Sequence, residues 1–343
     1  MKLYSSRLIL FFFLLQSALL HAAEIQPRII GGVDADNGEW PATVALLVTA
    51  VYNSELSVGA TTGEAQLASQ FCAGSLQTPN WVLTAAHCLY DQNNLRQTSE
   101  IMALADVTSL LDAGQLRVVT NIIVHPDYIP GLFDNDLALL ELSNEVVAPA
   151  NEIALFQNDP AVGSDVTVVG WGDTTNNNGV LPETLQEVVL QVVSNTDCNA
   201  ASVFNGAITD NMLCATATGK DSCTGDSGGP LMAEQEGEFR QVGIVSFGNQ
   251  CALPGFPGVY TRVARFNTWI TDILANGFDP TDTGTTIDGS STSIPDTIDP
   301  TQVLPPSGSG VADAGSSGGG SLGWMLLPII LFSCRRNSST KKA

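Results

Sequence analysis

The chain has 343 residues, 44% of them hydrophobic, and a formal net charge of −22 at pH 7. That length and apolar content allow a sizeable core with segments to spare, and exclude a wholly disordered chain. The acidic balance excludes a nucleic-acid-binding surface, which needs a basic patch.

Residues 1–23 read as a signal peptide. Lys2 and Arg7 give a positive start, residues 8–15 an apolar run, and Ala22 and Ala23 a small-residue close. Gln16 and Ser17 break the run short of the ~20 residues a membrane span needs. Residues 24–28 form a short bridge, and an ordered region opens at Ile29-Ile30-Gly31-Gly32. Short runs rich in Val, Ile and Leu follow at 43–48, 81–84, 118–124, 166–169, 188–193 and 242–245, separated by Gly, Asn, Asp and Pro. This is the pattern of an all-β sandwich or barrel. The spacing of Phe266, Trp269, Ile270, Ile273 and Leu274 predicts one terminal helix over 266–274. Residues 277–320 are rich in Asp, Thr, Ser, Gly and Pro and read as a disordered linker. Residues 321–343 hold a short hydrophobic stretch, 322–332, and a basic end, Arg335, Arg336, Lys341 and Lys342.

Seven cysteines are present, six in the ordered region and Cys334 in the tail. An even set in an exported chain points to disulfides, and spacing alone leaves 15 connectivities open. No Cys-x-x-Cys pair occurs, which argues against a structural zinc site.

Three segments carry the chemistry: Thr84-Ala85-Ala86-His87-Cys88, then Asp134-Asn135-Asp136-Leu137-Ala138-Leu139-Leu140, then Asp221-Ser222-Cys223-Thr224-Gly225-Asp226-Ser227-Gly228-Gly229-Pro230. A serine hydroxyl is a weak nucleophile and needs a base within hydrogen-bond reach. In the order His, Asp, Ser, these segments resemble the chymotrypsin-type serine proteases, trypsin in particular. Gly170-Trp171-Gly172, Ser246-Phe247-Gly248 and the run 257–261 (Pro-Gly-Val-Tyr-Thr) extend the resemblance over about residues 29–276.

The resemblance implies two six-stranded antiparallel β-barrels with the site between them, and hydrolysis of peptide bonds through an acyl-enzyme. Ser227 is then the nucleophile, His87 the base and Asp136 its orienting partner, with Asp134 left as a solvated loop acid and His21 and His125 outside the chemistry. Backbone N–H groups of Gly225 and Ser227 would form the oxyanion hole. Asp221, six residues before the nucleophile, would pair with an Arg or Lys side chain. Ser222, Ser246, Gly248 and Gly258 would complete the substrate pocket. The implied disulfides are Cys72–Cys88, Cys198–Cys214 and Cys223–Cys251. No cofactor and no metal is implied, and the partners expected are protein or peptide substrates of a monomer. Between residues 29 and 333 only Arg96, Arg117, Lys220, Arg240, Arg262 and Arg265 are basic. An enzyme that cuts at basic residues thus has few targets in itself.

Arg28-Ile29 resembles the family's activation site, with an activating protease or the enzyme itself making the cut and the new amine of Ile29 pairing with Asp226. The glycines at 318–320, the apolar stretch and the basic end resemble the bacterial GlyGly-CTERM sorting signal. This implies transient membrane association, processing by a rhomboid-type protease, and a secreted or cell-surface product. The chain departs from the family pattern in a long segment at 48–70, in Phe247 where a tryptophan is usual, and in lacking the paired glutamates of the calcium loop between Ala105 and Leu116. Two other readings are a peptidase of different pocket specificity and a catalytically silent binding module at the cell surface. A neutral His87 acting as base predicts a rate that rises with pH through about 6–7.

Overall fold

A computed structural model of the chain describes residues 31–174 and 181–277. The signal peptide, the Arg28–Ile29 bond, most of the linker and the whole tail lie outside the described residues.

Twelve strands build two closed barrels. The first holds β1 (Thr43–Val48), β2 (Gln70–Thr78), β3 (Trp81–Thr84), β4 (Ile101–Ala105), β5 (Gln115–Val124) and β6 (Ala138–Leu142), hydrogen-bonded in the ring order β2-β1-β4-β5-β6-β3. The second holds β7 (Asp165–Gly170), β8 (Gln186–Val193), β9 (Met212–Thr216), β10 (Pro230–Gln235), β11 (Glu238–Phe247) and β12 (Gly258–Arg262). Its ring order is β8-β7-β10-β11-β12-β9, closed by the β8–β9 pairing. Every pairing is antiparallel, and the two rings share one topology. Closure removes the exposed edges that an open sheet of this size would carry.

Burial follows from this arrangement. β8 alternates as a one-faced strand should, with Gln186, Val188, Leu190 and Val192 buried and Val189 and Gln191 exposed. In β1 both faces are buried. Val44 and Leu46 enter the first barrel's core, while Ala45 and Leu47 pack into a second cluster with Trp171 and Met232, where the barrels meet. Period-2 alternation is therefore invisible in β1.

The segment 48–70 is a pair of helices, α1 (Thr49–Ser57) and α2 (Thr62–Ser69), rather than an extended loop. The Thr61 side chain accepts from Glu64 N, and Glu64 accepts from Thr61 N at 2.7 Å, which satisfies the first orphan donors of α2. Tyr52 and Ala65 bury the pair against Leu47 and Leu110. The terminal helix α3 runs Asn267–Asn276, starting one residue later and ending two residues later than its spacing predicts. Gly277, at φ 71°, ends it in a conformation that suits glycine. Ile270 and Ile273 bury one face of α3 in the first barrel's cluster.

The bridges Cys72–Cys88, Cys198–Cys214 and Cys223–Cys251 are formed. Each closes a loop of 16 to 28 residues. In the chain-entropy account each stabilises by roughly 3 kcal/mol.

Candidate active site

His87 sits in a single 3₁₀ turn, Ala86–Leu89, directly after β3, and Asp136 lies just before β6. Because β3 and β6 pair through Thr84 and Ala138, their ends bring the two residues together. Asp136 is fully buried. Its Oδ1 accepts from His87 N at 2.8 Å, and its Oδ2 lies 2.8 Å from His87 Nδ1. Ser246 Oγ donates to Oδ2 at 2.5 Å, and Thr261 Oγ1 to the Asp136 carbonyl at 2.7 Å. An ionised carboxylate only accepts, so Nδ1 carries the imidazole proton and Nε2 keeps its lone pair.

Ser227 stands on the loop that leads into β10. Its carbonyl accepts from Ala73 N of β2 at 2.7 Å and lies 3.5 Å from Cys88 Sγ, beside His87. Gly228, at φ 80°, has no room for a side chain. A Cβ there would lie 2.4 Å from the Ala73 carbonyl and 3.0 Å from Ala85 N. The serine of the second barrel is thus pressed against the histidine segment of the first. Gly225 has φ 102°, again a glycine conformation. The Thr224 carbonyl accepts from Asp173 N at 2.6 Å. Across a planar trans peptide the Gly225 N–H must then point the opposite way, out of the loop.

Asp221 is buried, and its Oδ2 accepts from Ala252 N at 3.1 Å. Its Oδ1 is buried with no hydrogen-bond partner among the described residues. Burial pushes the carboxyl up to about 7. A Cβ on Gly258 would stand 2.7 Å from that oxygen, whereas one on Gly248 would meet nothing within 4 Å. Gly258 thus leaves free the room beside that oxygen which a side chain would take. Ser222 Oγ lies 3.4 Å from Tyr260 Oη, and Cys223–Cys251 ties the segment to the opposite wall.

The trypsin family model matches residues 29–270. The chain belongs to the trypsin family of serine endopeptidases. It is 37% identical over 255 residues to Trypsin-1 of Astacus astacus, covering 71% of this chain and 98% of that protein. It is 35% identical over 269 residues to a trypsin of Xenopus laevis, covering 77% and 98%. Transmembrane protease serine 11C of Mus musculus is 36% identical over 253 residues, or 71% of this chain. The chain spans about half of that mouse protein's length, 53%. These relatives are eukaryotic and the matches do not bear on a bacterial origin or on the tail.

Several features of this trypsin-family site are not readable from motif positions. Ser246, placed by its motif in the pocket wall, commits its hydroxyl to Asp136, so only its backbone is left to face substrate. Asp134 is not a free loop acid: it is half-buried and accepts from Thr209 Oγ1 at 2.8 Å and Asn211 Nδ2 at 3.2 Å, because its segment packs on the second barrel. His125 is buried between Phe266 and Trp269, with ring centroids 5.1 and 5.0 Å away, and burial lowers its pKa.

Gln70 is a residue that the motifs do not reveal. Buried at the start of β2, its Nε2 donates to the Gly225 carbonyl at 2.9 Å and to the Cys72 carbonyl at 3.0 Å. It joins the first barrel to the turn that presents the Gly225 N–H. Phe133 lies 5.6 Å from the His87 ring and 5.2 Å from Phe247, which leads on to Phe204 and Phe256. These rings wall one side of the cleft.

Asp226 is fully buried, accepting from Gly172 N at 2.7 Å and Cys223 N at 2.8 Å. Burial pushes it up to about 7 despite those bonds. Gly31 lies against Gly219 and Lys220: a Cβ on it would stand 2.8 Å from the Gly219 carbonyl. Gly31, the first described residue, therefore rests beside the segment that leads into Asp221. The one cluster of metal-ligand type among the described residues, Cys72, His87 and Cys88, has its two sulfurs bonded to each other. No helix among the described residues is long and apolar enough to cross a membrane.

Proposed function

We propose that the chain is an exported precursor which, once cut between Arg28 and Ile29, hydrolyses peptide bonds after Arg or Lys. The observation that carries this reading is the idle Oδ1 of Asp221, a buried acceptor without a partner, beside which Gly258 leaves out a side chain. Leaving a buried carboxylate oxygen unpaired is costly, and a guanidinium or ammonium entering the pocket removes that cost.

The chemistry uses this chain's own groups. His87 Nε2 takes the Ser227 hydroxyl proton as Oγ bonds to the scissile carbonyl carbon. The carbonyl π electrons move to oxygen, which the N–H groups of Gly225 and Ser227 stabilise. His87 then gives the proton to the leaving nitrogen as the C–N bond breaks. Water repeats the sequence to free the acid. Asp136 keeps Nδ1 protonated and stabilises the imidazolium. The aromatic wall of Phe133 and Phe247 favours apolar residues just before the Arg or Lys. The silent binding module is not favoured, since none of the three side chains is replaced.

To test this, protein cut after Arg28 is compared with its Ser227→Ala variant on peptides carrying Arg, Lys, Phe or Ala before the bond. Cleavage after Arg and Lys, absent in the variant, is the expected result. Cleavage only after Phe or Ala would discard the Asp221 pocket, and no cleavage by folded protein would favour the binding module.

Activation carries its own prediction. Asp226 and Asp221 have folded pKa values raised to about 7 from an ordinary value near 4. Between these values the folded precursor holds more protons than the unfolded chain, so these groups make stability fall as pH rises from about 4 to 7. An Ile29 amine paired with Asp226 would remove that group's share in the cut form. With Ser227→Ala in both forms, the precursor should melt roughly 5–10 °C below the cut protein at pH 7.5, the gap closing towards pH 4.5. Parallel melting curves across this range would disprove the pairing. The tail reading, with rhomboid-type processing near the glycines, stands as a proposal on its sequence resemblance.

A further inference from the structure

We propose that Arg96 selects substrates with an acidic residue among the first two positions after the scissile bond. The inference rests on the peptidase reading above and names the leaving-side chemistry of the same cleft.

The state of Arg96 is the first reason. Its guanidinium carbon stands 5.2 Å from the centroid of the Phe71 ring. Its Nε is buried, and the group makes no hydrogen bond or ion pair among the described residues. Arg117 donates to the Glu145 and Leu116 carbonyls, and Arg262 to Asp159, Asn195 and the Met212 carbonyl, whereas Arg96 shares its unpartnered buried Nε with Arg240 and differs from it in standing over Phe71 beside the histidine segment. A guanidinium offers five donors in a rigid fork. In a chain of net charge −22, a cation without an internal anion is suited to an external one.

Its place is the second reason. His87 Nε2 protonates the leaving nitrogen, so the departing peptide begins at that atom. Phe133 and Phe247 occupy the side that continues to the Asp221 pocket. On the other side Cys88 Sγ lies 3.9 Å from Nε2. Cys88 is bridged to Cys72, and Phe71 is the next residue. The leaving strand therefore crosses the Cys72–Cys88 bridge and reaches Phe71 with Arg96 above it. The backbone fixes this position. Tyr90–Asp91 and Asn94–Leu95 pair as a hairpin whose turn residues, Gln92 and Asn93, have φ 47° and 67°. Arg96 N donates to the Leu89 carbonyl at 2.8 Å, which returns Arg96 to within one residue of Cys88.

The full chain cut after Arg28 is assayed on two peptide series, one with Arg and one with Phe before the bond. Each series carries Asp, Ala or Arg at the first or the second position after it. The readout is the ratio of kcat/KM for the Asp peptide over the Arg peptide within one enzyme, which cancels any general loss of activity. For the native chain the ratio should be about tenfold in favour of Asp, as a partly exposed ion pair set against a like-charge contact gives. It should shrink in high salt. Arg96→Ala should bring it near one, Arg96→Lys should keep the preference, and Arg96→Glu should invert it. A flat native ratio, a preference that survives Arg96→Glu, or failure to cleave both series would overturn the proposal. An Arg amide with no residue on the leaving side reads the Asp221 pocket separately. Its failure, with the Asp:Arg ratio intact in the Phe series, would sink the Arg/Lys reading and leave Arg96 standing.

Discussion

Asp221→Ser is expected to lower kcat/KM on an Arg substrate by about 10²–10⁴ while leaving a substrate with Ala before the bond within a few-fold of the native rate. The magnitude follows from burial. With the carboxylate gone, a guanidinium that enters the pocket is a buried charge without a partner, a situation that costs about 3–5 kcal/mol. At about 1.4 kcal/mol per decade, this gives the range stated. The loss should fall on binding as well as turnover, because the pair forms in the ground state too. The same substitution should make the free enzyme more stable at pH 8. Native Asp221 is pushed up to about 7 by burial, so above that pH the fold carries an ionised group with an idle oxygen. Serine removes that charge, and a melting temperature raised by a few degrees would register it. A variant that lost Arg cleavage but melted lower would argue for collapse of the pocket. One that kept Arg cleavage would place the specificity elsewhere.

The distinction between local and distant contacts decides how much of this site can be read in the chain. His87, Asp136, Ser227, Gly225 and Asp221 stand in short segments whose composition announces them. The all-β class follows from short Val-, Ile- and Leu-rich runs, but the pairing of strands does not. β1 is buried on both faces, so its alternation carries no sign of which side is the barrel interior. The two-barrel arrangement was accessible only through resemblance. The helices α1 and α2 were hidden differently. α1 has no side-chain cap and a weak apolar stripe, so nothing local separates it from a loop. α2 carried a readable signal, the Thr61-x-x-Glu64 box. Ser246 and Gln70 bond partners 110 and 155 positions away. No spacing rule reaches across two barrels, and an isolated serine or glutamine looks the same wherever its partner lies.

Those distant bonds make the central carboxylate sensitive to the exchange of one oxygen for an NH₂. Asp136→Asn should lower kcat by about 10⁴, the scale seen when this substitution is made in a related triad. Its Oδ2 lies at both His87 Nδ1 and the Ser246 hydroxyl, and its Oδ1 at His87 N. An amide cannot satisfy all three as acceptor. If its oxygen keeps the Ser246 and Nδ1 side, its NH₂ faces the His87 N–H, donor against donor. If it flips, the NH₂ faces Nδ1 and forces the proton to Nε2, so the base has no lone pair for Ser227. The first arrangement loses stability and the second loses catalysis. Because Thr261 holds the Asp136 backbone carbonyl, the segment has little freedom to move away from the choice. Adding Ser246→Ala separates the two. Without the serine donor the amide is freer to flip, so the double variant should fall no higher in kcat than Asp136→Asn alone. KM for an Arg substrate should stay close to native in both, since neither change touches Asp221. A double variant that regained activity would show that Ser246, and not the tautomer of His87, sets the loss.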